Sequence, residues 1–352
     1  MFKEVNDLVL WFTENKRQFP WREDPTPYAV WISEVMLQQT KASTVVPFFL
    51  RWMKNFPTLQ HLAGASKEEV IKAWEGLGYY SRVRNLHKAA KQIMAEHQGE
   101  IPQEEKILQK LPGFGPYTTN AVLTFAFGKK AAPVDANVAR VISRYFRIKE
   151  SVAKEKTKKD IQRLALKFIP EENPRDAAEA LIELGALICH KKPLCDACPL
   201  KAGCQAYKNQ ETLLFPVKPK KKPQKHLTRT VGVFLFHREL LLSRGKKGVM
   251  EDLWQFPYVE GASQETEQAT QNLEKHFPLN LRYLAHLEEV SHSFTNFKVR
   301  LVPILYQIKQ KTHIPGYVWQ PIEKLKSLPF CSGHRNVLTQ VIKFQMDGKK
   351  IF

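Results

Sequence analysis

The stretch Leu111-Pro112-Gly113-Phe114-Gly115-Pro116-Tyr117-Thr118 constrains this chain more than any other. The residues before Leu111 read as helix and the run from Tyr117 to Phe127 reads as another, so Pro-Gly-x-Gly-Pro makes a tight connection between them. Two glycines allow torsions closed to other residues and leave amides bare for a close approach. The second helix then opens with free N–H groups and a positive dipole end, which suits a phosphate and reads no base. Downstream, the apolar helix Ala121-Val122-Leu123-Thr124-Phe125-Ala126-Phe127 is long enough to return the chain. Asp135, within Pro133-Val134-Asp135-Ala136-Asn137-Val138, can then face the sugar of a strand held by the hairpin. The plainer reading is a helix turn followed by an aspartate N-cap, and each motif alone is common.

A polyanion fits the charge. The 352 residues carry a formal charge of +19 and an isoelectric point near 9.6, an excess suited to salt-sensitive phosphate binding. Charge does not separate DNA from RNA or an anionic membrane. Composition is globular, with 43% apolar residues, and the length suits two domains. No run of eighteen apolar residues occurs, so neither a membrane span nor a secretion signal is expected, and the reading is cytoplasmic, at the nucleoid in a bacterium.

Near the N-terminus, Phe19-Pro20-Trp21-Arg22 lies in a proline-broken loop before Val30-Trp31-Ile32-Ser33-Glu34-Val35-Met36-Leu37-Gln38-Gln39-Thr40. On a helix Glu34 keeps apolar company, and desolvation would raise its pKa, as a general acid near neutrality requires. A glutamate bonded to a neighbouring helix end is the alternative. Gln38, Gln39 and Thr40 close that helix with groups able to enter a base stack. Gly76-Leu77-Gly78-Tyr79-Tyr80-Ser81-Arg82 is a second glycine-bounded turn, whose aromatic and arginine residues can wedge a duplex and hold its phosphates. One of its two tyrosines is expected to fill core instead.

The hairpin with its downstream aspartate resembles the helix-hairpin-helix base-excision glycosylases, endonuclease III among them. With Glu34 through Thr40 and Trp74 through Arg82 added, the chain is similar to the MutY-type adenine DNA glycosylases, densely over residues 1 to about 205 and more loosely beyond. That resemblance implies a multidomain protein: an all-α, two-lobed glycosylase domain over 1–215 with an iron–sulfur loop, a basic linker over 216–229, and an α+β Nudix-like domain over 230–352. It implies double-stranded DNA containing an adenine mispair as partner, and two domains clasping a duplex would work as a monomer. Glu34 and Asp135 are the implied acids, with Tyr117 and Asn137 orienting Asp135 and the water. Trp21, Arg22 and Glu179 are implied to line the adenine pocket, and Glu183 to brace the fold. Gln38, Gln39, Thr40, Tyr79, Tyr80, Ser81, Arg82, Gly113 and Gly115 are the implied DNA contacts. Bifunctional relatives place a Schiff-base lysine where Tyr117 stands, so water is the expected final nucleophile here.

Cys189, Cys195, Cys198 and Cys204 fall in one window with gaps of five, two and five residues. Clustered thiolates of this kind favour metal over disulfides, and spacing leaves a [4Fe–4S] cluster and zinc both open. The resemblance favours iron–sulfur, although the family has six residues in the first gap. After Tyr207 the run Pro216-Val217-Lys218-Pro219-Lys220-Lys221-Lys222-Pro223-Gln224-Lys225 reads as an extended basic linker, and strands follow from Thr230. Leu253-Trp254-Gln255-Phe256-Pro257 resembles the family's Nudix-like domain. Ala269 to His276 offers a single acid, too few to hold magnesium on a pyrophosphate, so binding without hydrolysis is expected. In the family a Phe-Ser-His turn inspects the opposite base; here Phe294-Thr295-Asn296 stands there, an asparagine replacing the histidine, and an ordinary hairpin is the alternative.

The chemistry implied is excision of a flipped-out adenine paired with 8-oxoguanine or guanine. Glu34 protonates N7, and ionised Asp135 stabilises the oxocarbenium-like sugar, in the manner of paired glycosidase carboxylates. Three rivals compete with it. A DNA-binding protein without activity leaves Glu34 and Asp135 idle, a glycosylase-lyase needs the absent lysine, and a Nudix hydrolase needs the absent acids.

Overall fold

The computed structural model describes residues 2–219, 223–261, 265–294 and 296–346. The chain divides into two compact units. One joins Met1–Ala65 to Arg84–Lys220, and the other joins Ser66–Val83 to Lys221–Phe352. Among the described residues no helix is long and apolar enough to cross a membrane.

Helices are the only regular elements among the first unit's described residues. Its helix Pro27–Leu37 starts with proline at the first position, and the Thr26 hydroxyl accepts a hydrogen bond from the Ala29 amide. Every residue from Tyr28 to Met36 is buried. A helix covered on all sides belongs inside a domain, and Glu34 is the one ionisable carboxyl it takes there.

The hairpin connects the single turn Glu105–Leu108 to the helix Pro116–Phe125, so the first helix is shorter than the sequence predicts. Only Gly113 needs its special backbone: its φ is +83°, and a Cβ there would lie 3.0 Å from that of Asn85. Gly115 is extended, caps the second helix, and has open space where a side chain would be. It therefore leaves the helix start uncovered, with Thr119 donating back to the Gly115 carbonyl.

Asp135 caps the helix Ala136–Tyr145, which packs on Pro174–Leu187. At their contact, a Cβ on Gly185 would stand 2.6 Å from Asn137 Cβ and 2.9 Å from its carbonyl. Only glycine permits that approach.

The second unit is built on a mixed sheet of β1 (Lys225–Phe236), β2 (Glu239–Arg244), β3 (Trp254–Gln255), β4 (Tyr258–Glu260), β5 (Leu281–His286), β6 (Val290–Phe294), β7 (Phe297–Ile308) and β8 (Tyr317–Pro321). Strand β1 runs parallel to β7 from Lys225↔Phe297 to Leu235↔Gln307; the other pairs between strands are antiparallel. That pairing starts β1 five residues before the Thr230 expected from alternation, because Lys225 to Arg229 find partners on β7. Alternate residues of β1 enter two cores. Val231, Val233 and Leu235 meet Val337, Leu338 and Val341 of the helix Ser332–Met346, while Phe234 meets Ala269 and Leu273 of the helix Thr266–His276. Glu267 and Glu274 are the acids of the latter helix, and Glu274 already accepts the Leu281 amide.

Gly185→Ala is expected to cost about 1–3 kcal/mol of stability, the usual penalty of overpacking a tight contact. Denaturant unfolding of the variant beside wild type checks it.

Candidate active site

Glu34 is 6% exposed, and the Tyr117 hydroxyl donates to its Oε2 at 2.6 Å. A buried carboxyl must be neutral or bonded, and here burial pushes it up to about 7 from an ordinary 4.5. The Tyr117 hydrogen bond pulls it back, Glu179 and Asp135 raise it further, and Arg22 lowers it. All four groups thus share one electrostatic neighbourhood with Glu34. Tyr117 itself is held well above the usual phenol range, by burial first and by the nearby carboxylates second, so it remains a donor.

Asp135 is both a helix cap and a member of this group. Its Oδ1 accepts the amides of Asn137 at 2.8 Å and Val138 at 2.7 Å, and its Oδ2 accepts Asn137 Nδ2 at 2.7 Å. Burial raises its pKa, and these three bonds together with Arg140 work against that rise by favouring the ionised form. The Asn137 side chain is fixed from behind, because Arg140 Nη2 donates to its Oδ1 at 2.8 Å. Arg140 also donates to the carbonyls of Gly185 at 2.6 Å and Cys189 at 2.6 Å. Nothing in the motif reading points to Arg140, yet its place three residues after Asn137 on a helix puts the two side chains on one face.

Arg22 Nε meets Glu179 Oε2 at 2.6 Å, and its Nη2 meets Glu183 Oε1 at 3.1 Å. Its guanidinium lies over the rings of Phe12 and Phe19. Trp21 stacks on Phe19 with centroids 4.8 Å apart and is buried. Glu179 also pairs with Arg175, and Glu183, 1% exposed, holds Arg17 at 2.8 Å. Glu183 is therefore a brace between two arginines; Arg17 and Arg175 carry no motif signal and emerge only from the packing.

Gln38 donates to Thr118 Oγ1 at 3.0 Å, tying the end of the Glu34 helix to the helix after the hairpin. Gln39 is exposed in a left-handed conformation, φ +59°, and the half-buried Thr40 hydroxyl bonds the Gln38 carbonyl. Gly113 and Gly115 are exposed.

The tyrosine turn belongs to the second unit, and its residues separate sharply. Tyr79 is 49% exposed with φ +50°, and Ser81 is exposed. Tyr80 is buried, its hydroxyl donating to the Phe330 carbonyl at 3.4 Å. Arg82, expected at a phosphate, is buried between Trp74 and Tyr79 and donates to the carbonyls of Leu77 and Gly78. Burial lowers its pKa to about 10. Tyr80 is thus the tyrosine that fills core, as expected of one of the two, while Arg82 is turned inward to the carbonyls and the Trp74 ring of its own turn and not outward as a DNA contact. In the same unit Phe294 and Asn296 flank the β6–β7 hairpin, and the Asn296 carbonyl accepts the Lys225 amide at 2.8 Å. Thr295 lies outside the described residues.

The four clustered cysteines stay close to one another: Cys198 feels Cys189, Cys204 and Cys195 electrostatically, and burial pushes its thiol up to about 12. Among the described residues no three His, Cys, Asp or Glu side chains converge as ligands of a single ion. Four thiols in one neighbourhood are the donor set of either an iron–sulfur cluster or a thiolate zinc site. Arg144 adds to the fit, donating to Cys189 Sγ at 3.3 Å and to the carbonyls of Cys189 and His190, so a cation already faces the first sulfur.

The arrangement supplies a proton donor near neutrality beside a hydrogen-bonded carboxylate. Comparison with known proteins agrees with such chemistry. The HhH-GPD superfamily base excision DNA repair protein model matches residues 32–170, and the NUDIX domain model matches residues 230–340. Adenine DNA glycosylase of Homo sapiens is 34% identical over 97% of this chain and 74% of its own length. That of Buchnera aphidicola subsp. Baizongia pistaciae is 30% identical over 96% of each. A thermostable thymine-DNA glycosylase of known structure is 31% identical, with a TM-score of 0.54 over 58% of this chain and 95% of that one. A non-covalent endonuclease III–DNA complex follows at 26% identity and a TM-score of 0.50, over 58% and 94%. The chain therefore belongs to the adenine DNA glycosylase family of base-excision repair enzymes, with a helical HhH-GPD domain followed by a Nudix-like domain.

Proposed function

We propose that this enzyme is a monofunctional glycosylase that flips adenine out of a mispair with 8-oxoguanine or guanine in duplex DNA and hydrolyses its glycosidic bond. The observation that carries the reading is the buried, tyrosine-bonded Glu34 in the same field as Asp135. Protonated Glu34 gives its proton to N7 of the extruded base, which draws electrons from the bond to C1′. Asp135, with its charge favoured by two backbone amides and Asn137, stabilises the sugar cation until water, deprotonated by Glu34, attacks. The Tyr117 hydroxyl is engaged with Glu34, and no amine stands at this position to open a lyase path.

Residues 1–215 are assigned to excision, 216–229 to a basic tether, and 230–352 to reading the opposite base through Phe294, Thr295 and Asn296. Glu179 is assigned to the adenine amino group, and exposed Gln39, Tyr79, Ser81, Gly113 and Gly115 to the duplex. The enzyme acts as a monomer. Cys189, Cys195, Cys198 and Cys204 would hold a [4Fe–4S] cluster, which contributes loop architecture and no step of the hydrolysis.

Two experiments test this. In single turnover on an 8-oxoguanine–adenine duplex, Glu34→Gln should bind the DNA and lose roughly 10²- to 10⁴-fold or more in adenine release. In the same assay wild type should fall in rate as pH rises through about 7, where Glu34 loses its proton. Normal turnover by the variant would remove Glu34 from the mechanism. For the cofactor, the purified protein should be brown and contain iron and sulfide; a colourless folded protein with stoichiometric zinc would replace the cluster assignment.

A further inference from the structure

The exposed Tyr79 turn and the Phe294 hairpin lie about two hundred residues apart in sequence, yet both are tied to the first turn of the helix Ser332–Met346. On one side Arg335 grips Glu75, immediately before the turn: Nε meets Oε1 at 2.5 Å and Nη2 meets Oε2 at 3.0 Å. Lys72 adds a bond to Glu75 Oε2 at 2.6 Å and donates to the Leu328 carbonyl at 3.2 Å. Arg335 also donates to the carbonyls of Leu325 and Leu328 and lies over the Phe330 ring, whose own carbonyl accepts the Tyr80 hydroxyl. On the other side Gly333 sits against β6. A Cβ on it would fall 2.4 Å from His292 Nδ1, and His292 stacks on Phe294 with centroids 5.8 Å apart.

We propose that the Glu75–Arg335 pair is a positioning device that fixes the Tyr79 turn relative to the Phe294 hairpin and so sets discrimination between opposite bases. The proposal rests on the function proposed above. Both Glu75 oxygens are taken, and the Arg335 guanidinium is spent on Glu75 and two carbonyls, so the pair acts through the elements it joins. A bidentate arginine suits that task because it fixes distance and angle together. Gly333 completes the device by letting the helix approach His292 closely enough to seat Phe294 behind it.

The test is single-turnover adenine release from 8-oxoguanine–adenine and guanine–adenine duplexes over a DNA concentration series, for wild type, Glu75→Gln, Arg335→Met, Arg335→Lys and Gly333→Ala, each shown folded by thermal melting. Glu75→Gln and Arg335→Met should reduce the preference for the oxidised duplex about tenfold through weaker half-saturation, with the saturating rate within about twofold of wild type. Arg335→Lys, which keeps the charge and loses the fork, should recover part of the preference. Gly333→Ala should lose it while leaving the ion pair intact. An unchanged preference in folded Glu75→Gln and Arg335→Met, or an equal loss on both duplexes, overturns the proposal. No adenine release by wild type from either duplex instead overturns the underlying function.

Discussion

The removal of Glu34 from water is the constraint on which the rest depends. A carboxyl on a fully buried helix cannot ionise at its ordinary pH, so the interior itself prepares a proton donor for neutral conditions. Tyr117 completes the arrangement. Its hydroxyl satisfies one carboxyl oxygen, and because burial keeps the phenol protonated, that donor is present at every physiological pH. The same hairpin that leaves Gly115 uncovered delivers Tyr117 to Glu34, so an open helix start and the acid's hydrogen-bond donor come from one turn of backbone.

Asp135 shows how a folding element becomes chemistry. Capping the helix Ala136–Tyr145 consumes one oxygen with two amides, and that consumption favours the charged form that a developing sugar cation requires. In the function proposed above, the cap and the electrostatic stabiliser are one interaction. Its setting extends through Asn137 and Arg140 to the Gly185 and Cys189 carbonyls, so the cysteine loop and the carboxylate share a continuous set of hydrogen bonds. The tight contact of Gly185 with Asn137 is the steric counterpart of that set.

Much of this was legible because the chemistry sits in local patterns. Glycine and proline spacing marked the hairpin, apolar neighbours along a helix marked Glu34 as desolvated, and the doubled tyrosine was readable as one inward and one outward residue, which Tyr80 and Tyr79 are. What stayed hidden depends on partners distant in sequence. Arg82 looked like a phosphate ligand, but the aromatic ring of Trp74 and the carbonyls of its own turn claim it. Arg17, Arg140 and Arg144 bind groups brought close only by packing, and the membership of Ser66–Val83 in the C-terminal unit follows from side chains such as Glu75 whose partner is 260 residues away. Strand β1 begins earlier than its alternation because a parallel neighbour, absent from any local window, extends it.

The proposed chemistry requires Glu34 to keep its proton near neutrality in the folded protein. Infrared difference titration of protein labelled with ¹³C at the glutamate carboxyls, with Glu34→Gln subtracted, measures that proton directly. A protonated-carboxyl band assigned to Glu34 that disappears around pH 7 is the predicted result. A Glu34 band already lost by about pH 5, the behaviour of a solvated glutamate, would contradict it.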